Sequence, residues 1–193
     1  LEVRRRLAYV PDFPFLYDKL SPWEFFRFTG QLFHMSEDQI QRQTRELIPR
    51  FNLKPYLDKR IESLSHGTRQ RIAIVSALMH EPERFVLDEP MVGLDPHPQF
   101  VLKEVLKQCT TNGMTVFLST HQLSVADDVA DRTGIVHMGK LVAVGTNAEL
   151  HKMGGQGNTE LEETYLALTQ EESDVAVMRQ LLARGACLLY TSD

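Results

Sequence analysis

Two neighbouring carboxylates follow a short apolar run and could handle a metal-bound phosphate. Asp88 and Glu89 come directly after Phe85–Leu87, a run that suits a strand buried on both faces. Adjacent acids at the end of a buried strand are costly unless a cation meets them. Mg²⁺ beside a polyphosphate is the usual solution, because this ion prefers carboxylate oxygen and retains several waters. Strand alternation points the two side chains in different directions, so one can serve the metal while the other faces a reacting water.

A second polar segment, Ser119–His121, follows another strand-like run at Thr115–Leu118. Ligands gather at the carboxyl ends of parallel strands, so this segment can join the same site if its strand neighbours the one before Asp88. His121 is open to two interpretations: an ordinary loop residue, or a group that contacts the ligand of the acids. Its position at the end of a strand favours the second.

The segment Ser63–Pro82 predicts a buried helix whose first residues are small and polar. Ser65 can be a helix cap, because a serine hydroxyl at this position takes one free amide hydrogen. The same helix start can also bind an anion, since its first amides are unpaired and carry partial positive charge. Gly67 would then let phosphate oxygens approach the backbone. These residues alone leave both interpretations open.

Five short segments, in order along the chain, resemble the motifs of one protein family. They are AYVPD, LSHGTRQR, FVLDEP, GLD and STH, and together they resemble the nucleotide-binding subunit of an ATP-binding-cassette (ABC) transporter. The likeness covers about residues 7–153, and the motifs together are far more specific than any one of them. The closer resemblance is to bacterial exporter-type subunits, and LEETYLALTQEE at 161–172 resembles the helix that closes that subgroup.

The resemblance implies that the protein binds ATP and Mg²⁺ and hydrolyses ATP. Asp88 would hold the metal through water, and Glu89 would polarise the water that attacks the γ-phosphorus. His121 would contact the γ-phosphate and help to fix that water. Asp12 stands where many relatives have glutamine, and its short charged side chain would reach the metal directly or through water.

The resemblance also implies a homo- or heterodimer that closes around two nucleotides. Ser65 and Gly67 would bind the γ-phosphate of the nucleotide held by the other subunit, and Asp95 would bridge the two subunits. His66 and Thr68 belong to the same nucleotide-binding segment, where they replace a glycine and a glutamine of the common signature. Discrimination between ligands at this corner is therefore open.

A glycine-rich phosphate loop ending in Gly-Lys-Ser or Gly-Lys-Thr does not occur among the 193 residues. The glycine-rich segment HKMGGQGNTE at 151–160 has a different order and is interpreted as a linker. Since the chain begins at Leu1 without a methionine, the expectation is a fragment that lacks the segment with the phosphate loop. Such a fragment alone is not expected to bind ATP tightly.

Alternating strand and helix patterns predict an α/β fold with a mostly parallel sheet flanked by helices. The resemblance implies the P-loop NTPase (RecA-like) class, incomplete at its N-terminus, with an inserted helical subdomain at about residues 20–80 whose helices start with capping boxes at Ser21 and Ser36. Later helices are expected at about 97–111 and 122–132, followed by a hairpin that turns at Gly139–Lys140. The cassette is assigned to residues 1–153, a linker and helices to 154–186, and 187–193 is either a non-native tail or a short edge strand.

Aromatic residues crowd the segment after Asp12, from Phe13 to Phe33. They can form the compact core of the helical subdomain, or a partner can cover some of them. The aromatics between positions 23 and 26 cannot all face one side of a helix, and the family docks its membrane subunit beside this loop. The prediction is a docking groove lined by Phe15, Tyr17 and at least one of Trp23, Phe25 and Phe26.

Composition limits the other roles. At 193 residues, with 42% hydrophobic residues and two cysteines, the chain can bury a core without a disulfide scaffold. The net charge of −5 disfavours a nucleic-acid partner, and no apolar run reaches the roughly 20 residues that cross a bilayer. The expected location is cytoplasmic, at the inner face of the cell membrane, with a transmembrane permease subunit as partner.

Three functions are carried forward from the sequence. The favoured one is the ATPase subunit of a membrane exporter. A non-transport member of the same superfamily is disfavoured on two grounds. DNA-repair members carry a long coiled coil, but the interval of about fifty residues between AYVPD and LSHGTRQR has no sustained heptads, and translation members join two cassettes in one chain, whereas this sequence shows one. A regulatory or degenerate subunit without turnover is disfavoured by the presence of Asp88, Glu89 and His121.

Overall fold

The structure is a computed structural model that describes residues 6–153 and 161–169. Its central element is a three-stranded parallel sheet in the order β1-β2-β3. Val86 pairs with Tyr9 on one side and with Phe117 on the other, which fixes the register. The predicted α/β class with a parallel sheet is confirmed. The strands are β1 (Leu7–Val10), β2 (Arg84–Asp88) and β3 (Thr115–Ser119).

Helices fill most of the described chain between and after these strands. Short 3₁₀ turns at Lys54–Tyr56 and Ile61–Ser63 lead from the second helix to the third. Within the residues described, no helix is long and apolar enough to cross a membrane. In chain order the helices are α1 (Pro22–Leu32), α2 (Glu37–Arg50), α3 (His66–Leu78), α4 (Pro96–Thr111), α5 (Leu123–Val129), α6 (Asn147–Met153) and α7 (Leu161–Thr169).

The two faces of the parallel sheet are covered to different extents. Helix α3 contacts β1, and α4 contacts β3. The connections from β1 to β2 and from β2 to β3 both lead to the next strand in the same direction across the sheet. Since such connections between parallel strands are right-handed, α3 and α4 lie on the same face of the sheet. There Phe85 and Leu87 are fully buried, whereas Tyr9 and Phe117, on the opposite face, are 56% and 65% exposed.

The helical subdomain begins with the two predicted capping boxes. The Ser21 hydroxyl accepts the Glu24 N–H at 3.3 Å, and Glu24 Oε2 accepts the Ser21 N–H at 2.8 Å. Ser36 and Gln39 make the same exchange at the start of α2. Each box satisfies two free donors at a helix start, so both helices begin where the sequence predicts.

A glycine sets how closely α1 approaches its neighbours. A Cβ on Gly30 would lie 2.5 Å from Ile40 Cγ1 in α2 and 2.9 Å from Met79 Cε, just after α3. Ile40 and Met79 are both fully buried. The close packing of α1 against α2 and the end of α3 therefore depends on a position without a side chain.

The chain divides into two compact units between His121 and Gln122. In the second unit, β4 (Thr133–His137) and β5 (Lys140–Gly145) pair in an antiparallel hairpin. Met138 and Gly139 have φ of +49° and +73°, as the favoured two-residue hairpin turn requires. The predicted hairpin is confirmed, but its turn lies one residue earlier than the predicted Gly139–Lys140, because Lys140 already pairs with His137.

Helix α5 ends at Val129, earlier than the predicted 132, because Ala130 is already extended on the way to β4. The second unit has its own apolar core. Ala126, Ile135, Leu150 and Leu161 are buried together in it. The predicted boundary at residue 153 stays a prediction, and the assigned linker at 154–160 and the tail at 187–193 lie outside the described residues.

Candidate functional site

The acids after β2 meet the polar segment after β3, as the sequence predicts for neighbouring strands. Asp88 is opposite Ser119 in the register, and the Ser119 hydroxyl donates to Asp88 Oδ1 at 2.5 Å. Glu89 follows at the turn. We call the group formed by Asp88, Glu89, Ser119, Thr120 and His121 the acid corner.

Glu89 holds His121 through two contacts. Glu89 Oε1 accepts the backbone N–H of His121 at 2.8 Å and lies 2.9 Å from His121 Nδ1. Thr120 Oγ1 donates to Glu89 Oε2 at 3.3 Å. A carboxylate can only accept, so Nδ1 carries the proton in this pair. The other ring nitrogen, Nε2, is then free to face a ligand, and the His121 side chain is largely exposed.

The backbone at Glu89 has an unusual conformation. Its φ is +45°, in the left-handed region, which costs a residue other than glycine about 1–2 kcal/mol. The Glu89 N–H donates to the Ser119 carbonyl at 3.0 Å, and this bond holds the turn. Strained residues of this kind cluster at functional sites. Here the turn directs the carboxylate across the sheet edge to His121.

The start of α3 is both capped and open. Ser65 is the N-cap, and its hydroxyl accepts the Thr68 N–H at a long 3.4 Å. The N–H groups of His66 and Gly67 have no hydrogen-bond acceptor within the described chain. Helix capping and anion binding are therefore compatible at this helix start, because the cap uses the Thr68 N–H and leaves the N–H groups of His66 and Gly67 unpaired in the described part of the chain.

Gly67 has a steric role that the sequence did not suggest. A Cβ on Gly67 would lie 2.3 Å from the Gly93 carbonyl oxygen, and Gly93 has a φ of +73°. The His66 ring in turn lies across Gly93, with Cδ2 2.5 Å from the point where a Gly93 Cβ would be. Both glycines are needed for this loop to approach α3. We call Ser65–Thr68 together with Gly93–Asp95 the helix-start corner.

A cleft of about 390 Å³ lies in the helix-start corner, between the first residues of α3 and the loop at Gly93. Asp95 lines it and is the N-cap of α4, but its carboxylate makes no capping hydrogen bond. Gln99 fixes this loop by donating to the Leu94 carbonyl at 2.9 Å. The cleft is therefore lined by the unpaired amides at the start of α3 and by the exposed carboxylate of Asp95.

Two other residues predicted for the site have different surroundings. Thr68 is only 3% exposed, and its hydroxyl lies 3.0 Å from Ser65 Oγ. Thr68 therefore lies behind Ser65 and does not line the cleft. Asp12 is half-buried after β1, at the same sheet edge as Asp88. A contact of Asp12 with a metal stays a prediction.

Arg71 is a residue of the site region that the sequence reasoning missed. It is buried, and its guanidinium donates to the Gly67 carbonyl at 3.1 Å, to the Phe51 carbonyl at 2.7 Å and to Thr68 Oγ1 at 2.9 Å. The signal that could have found it is a charged residue one position before the apolar stretch of α3. A cation at such a position needs acceptors nearby.

Comparison with known proteins identifies relatives. An ABC transporter family model matches residues 1–92. The ABC-type transporter ATP-binding protein EcsA of Bacillus subtilis is 31% identical over 170 residues, which cover 88% of this chain and 69% of EcsA. The linearmycin resistance ATP-binding protein LnrL of the same species is 32% identical over 155 residues, which cover 80% of this chain and 50% of LnrL.

A solved structure of an ATP-binding subunit of an ABC transporter has the same fold. It matches with a TM-score of 0.79 at 33% identity and covers 86% of this chain and 69% of that one. The parallel sheet with its acid corner and the open start of α3 define a P-loop NTPase of the α/β class. The chain belongs to the family of ABC transporter ATP-binding subunits.

Proposed function

We propose that the chain is part of an ATP-hydrolysing subunit that drives transport through membrane-spanning partner subunits. The observation that carries this proposal is the contact between Glu89 and His121 beside Asp88 at the sheet edge. Phosphoryl transfer asks a protein mainly for positioning and for charge stabilisation. The acid corner supplies a base and a polar ring that are already held in place.

Asp88 is the proposed ligand of Mg²⁺, and the donor set fits this ion. One Asp88 oxygen accepts from Ser119, which leaves the second for the metal or its water. Among the residues described, no group of three or more His, Cys, Asp or Glu could hold a metal. Mg²⁺ suits such a site because it usually binds one or two carboxylates, waters and substrate phosphates. When bound, the ion would neutralise phosphate charge, and Asp12 would contact its shell through water.

Glu89 is the proposed general base for the attacking water. With the His121 Nδ1–H donated to Glu89, Nε2 of the neutral ring can accept from the attacking water, whereas a contact with a γ-phosphate oxygen would require Nε2 to carry a proton as well. The pair would thus hold the attacking water in place. Because both side chains meet at one carboxylate oxygen, a small displacement of either would disturb the other.

The helix-start corner is proposed to serve a nucleotide held by a second subunit. The free N–H groups of His66 and Gly67 and the partial positive charge of a helix start suit a γ-phosphate, and Ser65 adds an exposed hydroxyl. Asp95 would bridge to the partner subunit across the same cleft. Each subunit, in a homo- or heterodimer, would then complete the site of the other.

Docking to a membrane subunit is proposed at the aromatic patch after β1. Phe13, Phe15 and Tyr17 are 73%, 93% and 57% exposed. Phe25 and Phe26 are buried, so the half-buried Trp23 is the remaining candidate from α1. This docking would place the protein at the inner face of the membrane. Phe15→Ser should reduce co-purification of the membrane subunit, whereas Phe100→Ser, at an exposed site on α4, should not.

The relative LnrL is named for linearmycin resistance, which supports export as the direction of transport for this chain. The test of the proposed function is Glu89→Gln in the full-length gene product. Loss of a general base lowers kcat by roughly 10²- to 10⁴-fold, while ATP binding is kept, and a closed ATP-bound dimer should accumulate in size-exclusion chromatography. Unchanged steady-state hydrolysis would refute the role of Glu89.

A further inference from the structure

A chain of hydrogen bonds runs from the interior of the protein to the exposed hydroxyl of Ser65. The Arg71 Nη2–H donates to Thr68 Oγ1 at 2.9 Å, and Thr68 Oγ1 lies 3.0 Å from Ser65 Oγ. The Thr68 N–H also donates to Ser65 Oγ at 3.4 Å. Every link is within α3 or its cap.

The direction of the middle link follows from burial. A hydroxyl has one hydrogen and two lone pairs. Thr68 already accepts from Arg71, and at 3% exposure its own hydrogen needs a protein acceptor. Ser65 Oγ is the acceptor that the structure offers. Thr68 therefore donates to Ser65.

The orientation of the Ser65 hydroxyl is then determined. Its two lone pairs face the N–H and O–H of Thr68, so its hydrogen has to point away from them. Ser65 is exposed at the cleft of the helix-start corner. The Ser65 O–H is thereby held as a donor toward the cleft.

Arg71 fixes the far end of this chain and adds charge. Arg71 is 9% exposed, and its guanidinium donates to neutral oxygens of Phe51, Gly67 and Thr68. No described carboxylate forms an ion pair with it. A buried cation without a counterion is unusual, and its side chain runs back toward the start of α3, where the helix dipole is also positive.

We propose that Thr68, held by Arg71, is a positioning residue that directs the Ser65 hydroxyl at the γ-phosphate of the partner subunit's nucleotide. This inference rests on the proposed function of the helix-start corner and adds a specific role for Thr68 behind the cleft. The common glutamine at this position has a longer side chain without a hydroxyl, so the chain from Arg71 to Ser65 is a feature of this sequence. The hydroxyl of Thr68 is the group to remove.

The experiment compares Thr68→Val, which removes the hydroxyl with little change in volume, with Thr68→Ser, which keeps it. In the full-length gene product, Thr68→Val should lower kcat for ATP hydrolysis by roughly tenfold, the effect of one hydrogen bond to a charged group. Nucleotide affinity of the same subunit, measured with a fluorescent ATP analogue, should not change. Thr68→Ser should restore kcat.

Thr44→Val is the matched control. Thr44 is also buried and donates its hydroxyl to the Ile40 carbonyl at 2.7 Å, within α2. Both valine variants should lower thermal stability to a similar extent, but only Thr68→Val should lower kcat. An equal loss of kcat in Thr44→Val, or a Thr68→Ser variant as slow as Thr68→Val, would overturn the inference.

Variants at Gly67 and Glu89 separate this inference from the function on which it rests. If Gly67→Val and Glu89→Gln both leave ATP hydrolysis unchanged, the proposed function fails. If both abolish hydrolysis while Thr68→Val has the kcat of the wild type, the proposed function stands and the role of Thr68 is refuted.

Discussion

The acid corner and the helix-start corner are built in opposite ways. In the acid corner, both oxygens of Glu89 accept hydrogen bonds, from His121 and from Thr120. In the helix-start corner, two amides of α3 have no acceptor in the described residues, and the Asp95 carboxylate makes no capping bond. The side chains of the acid corner hold one another in fixed positions, which suits a catalytic role. The unpaired donors of the helix-start corner suit the binding of a ligand supplied by another molecule.

The backbone follows the same division. Glu89 is in the left-handed region at φ +45°, a strained conformation that the bonds to Ser119 and His121 maintain. Ser65 has φ −63° and ψ 158°, the relaxed extended conformation of ordinary N-caps. Of the two corners, only the acid corner has a non-glycine residue with a positive φ, because the left-handed position in the helix-start corner is a glycine, Gly93.

The largest expected effect is on the rate of ATP hydrolysis by a dimer that carries Glu89→Gln and Gly67→Val. The two variants are placed either in different subunits or together in one subunit. If each acid corner works with the helix-start corner of the other subunit, one variant per subunit damages one site twice and leaves the other site intact. About half of the hydrolysis rate should then remain. Both variants in one subunit damage both sites, and the rate should fall by about 10²-fold or more.

Covalently linked dimers allow the two arrangements to be measured by steady-state phosphate release. Gly67→Val is the suitable partner, because its side chain would collide with the Gly93 carbonyl while leaving the acid corner untouched. The reverse order of rates would mean that the two corners of one subunit act on one nucleotide. Each variant paired with a wild-type subunit gives the reference rates.

A smaller effect should reveal the strain at Glu89. Glu89→Gly and Glu89→Ala both remove the carboxylate, but only glycine adopts a positive φ without cost. Glycine should therefore be more stable than alanine here by about 1 kcal/mol, the reverse of the usual order, as measured by urea unfolding. Glu46→Gly and Glu46→Ala, at an exposed position inside α2, provide the contrast, because alanine should be the more stable variant there by about 1 kcal/mol. A more stable alanine variant at position 89 would show that the turn is not strained.

The smallest expected effect is a pH dependence of folding stability that arises at His80, outside both corners. His80, just after α3, stacks on Phe33 with ring centroids 3.8 Å apart, and burial lowers the pKa of its imidazole below the ordinary 6.5. The unfolded chain then takes up a proton before the folded one does. Stability should be complete above about pH 6.5 and should decline as the pH falls below it.

His80→Phe keeps the stacked ring and removes the titration. Its thermal unfolding should therefore vary less between pH 7 and pH 5.5 than that of the wild type, by differential scanning calorimetry. Equal slopes for the two proteins would exclude His80 as a source of pH dependence.

Local chemistry in the sequence was enough to predict several elements. The capping boxes at Ser21 and Ser36 predicted two helix starts, because each exchange lies within four residues. The apolar runs before Asp88 and Ser119 predicted two neighbouring parallel strands. The end of α5 was predicted three residues too late, because the helical pattern of the sequence continues to residue 132, whereas the chain is already extended at Ala130.

The order of motifs along the sequence determined the family and the candidates Asp88, Glu89, His121, Ser65 and Gly67. These signals are local: residue types, short spacings and alternation. Only the tertiary structure decided that His66 and Gly67 pack on Gly93, that the Arg71 guanidinium lies behind Thr68, and that the Glu89 turn is left-handed. The packing on Gly93 and the Glu89 turn, which bonds to Ser119, depend on segments far apart in the chain meeting in space. Arg71 and Thr68 are neighbours on one helix, but the long-range bond from Arg71 to the Phe51 carbonyl helps to hold the guanidinium there.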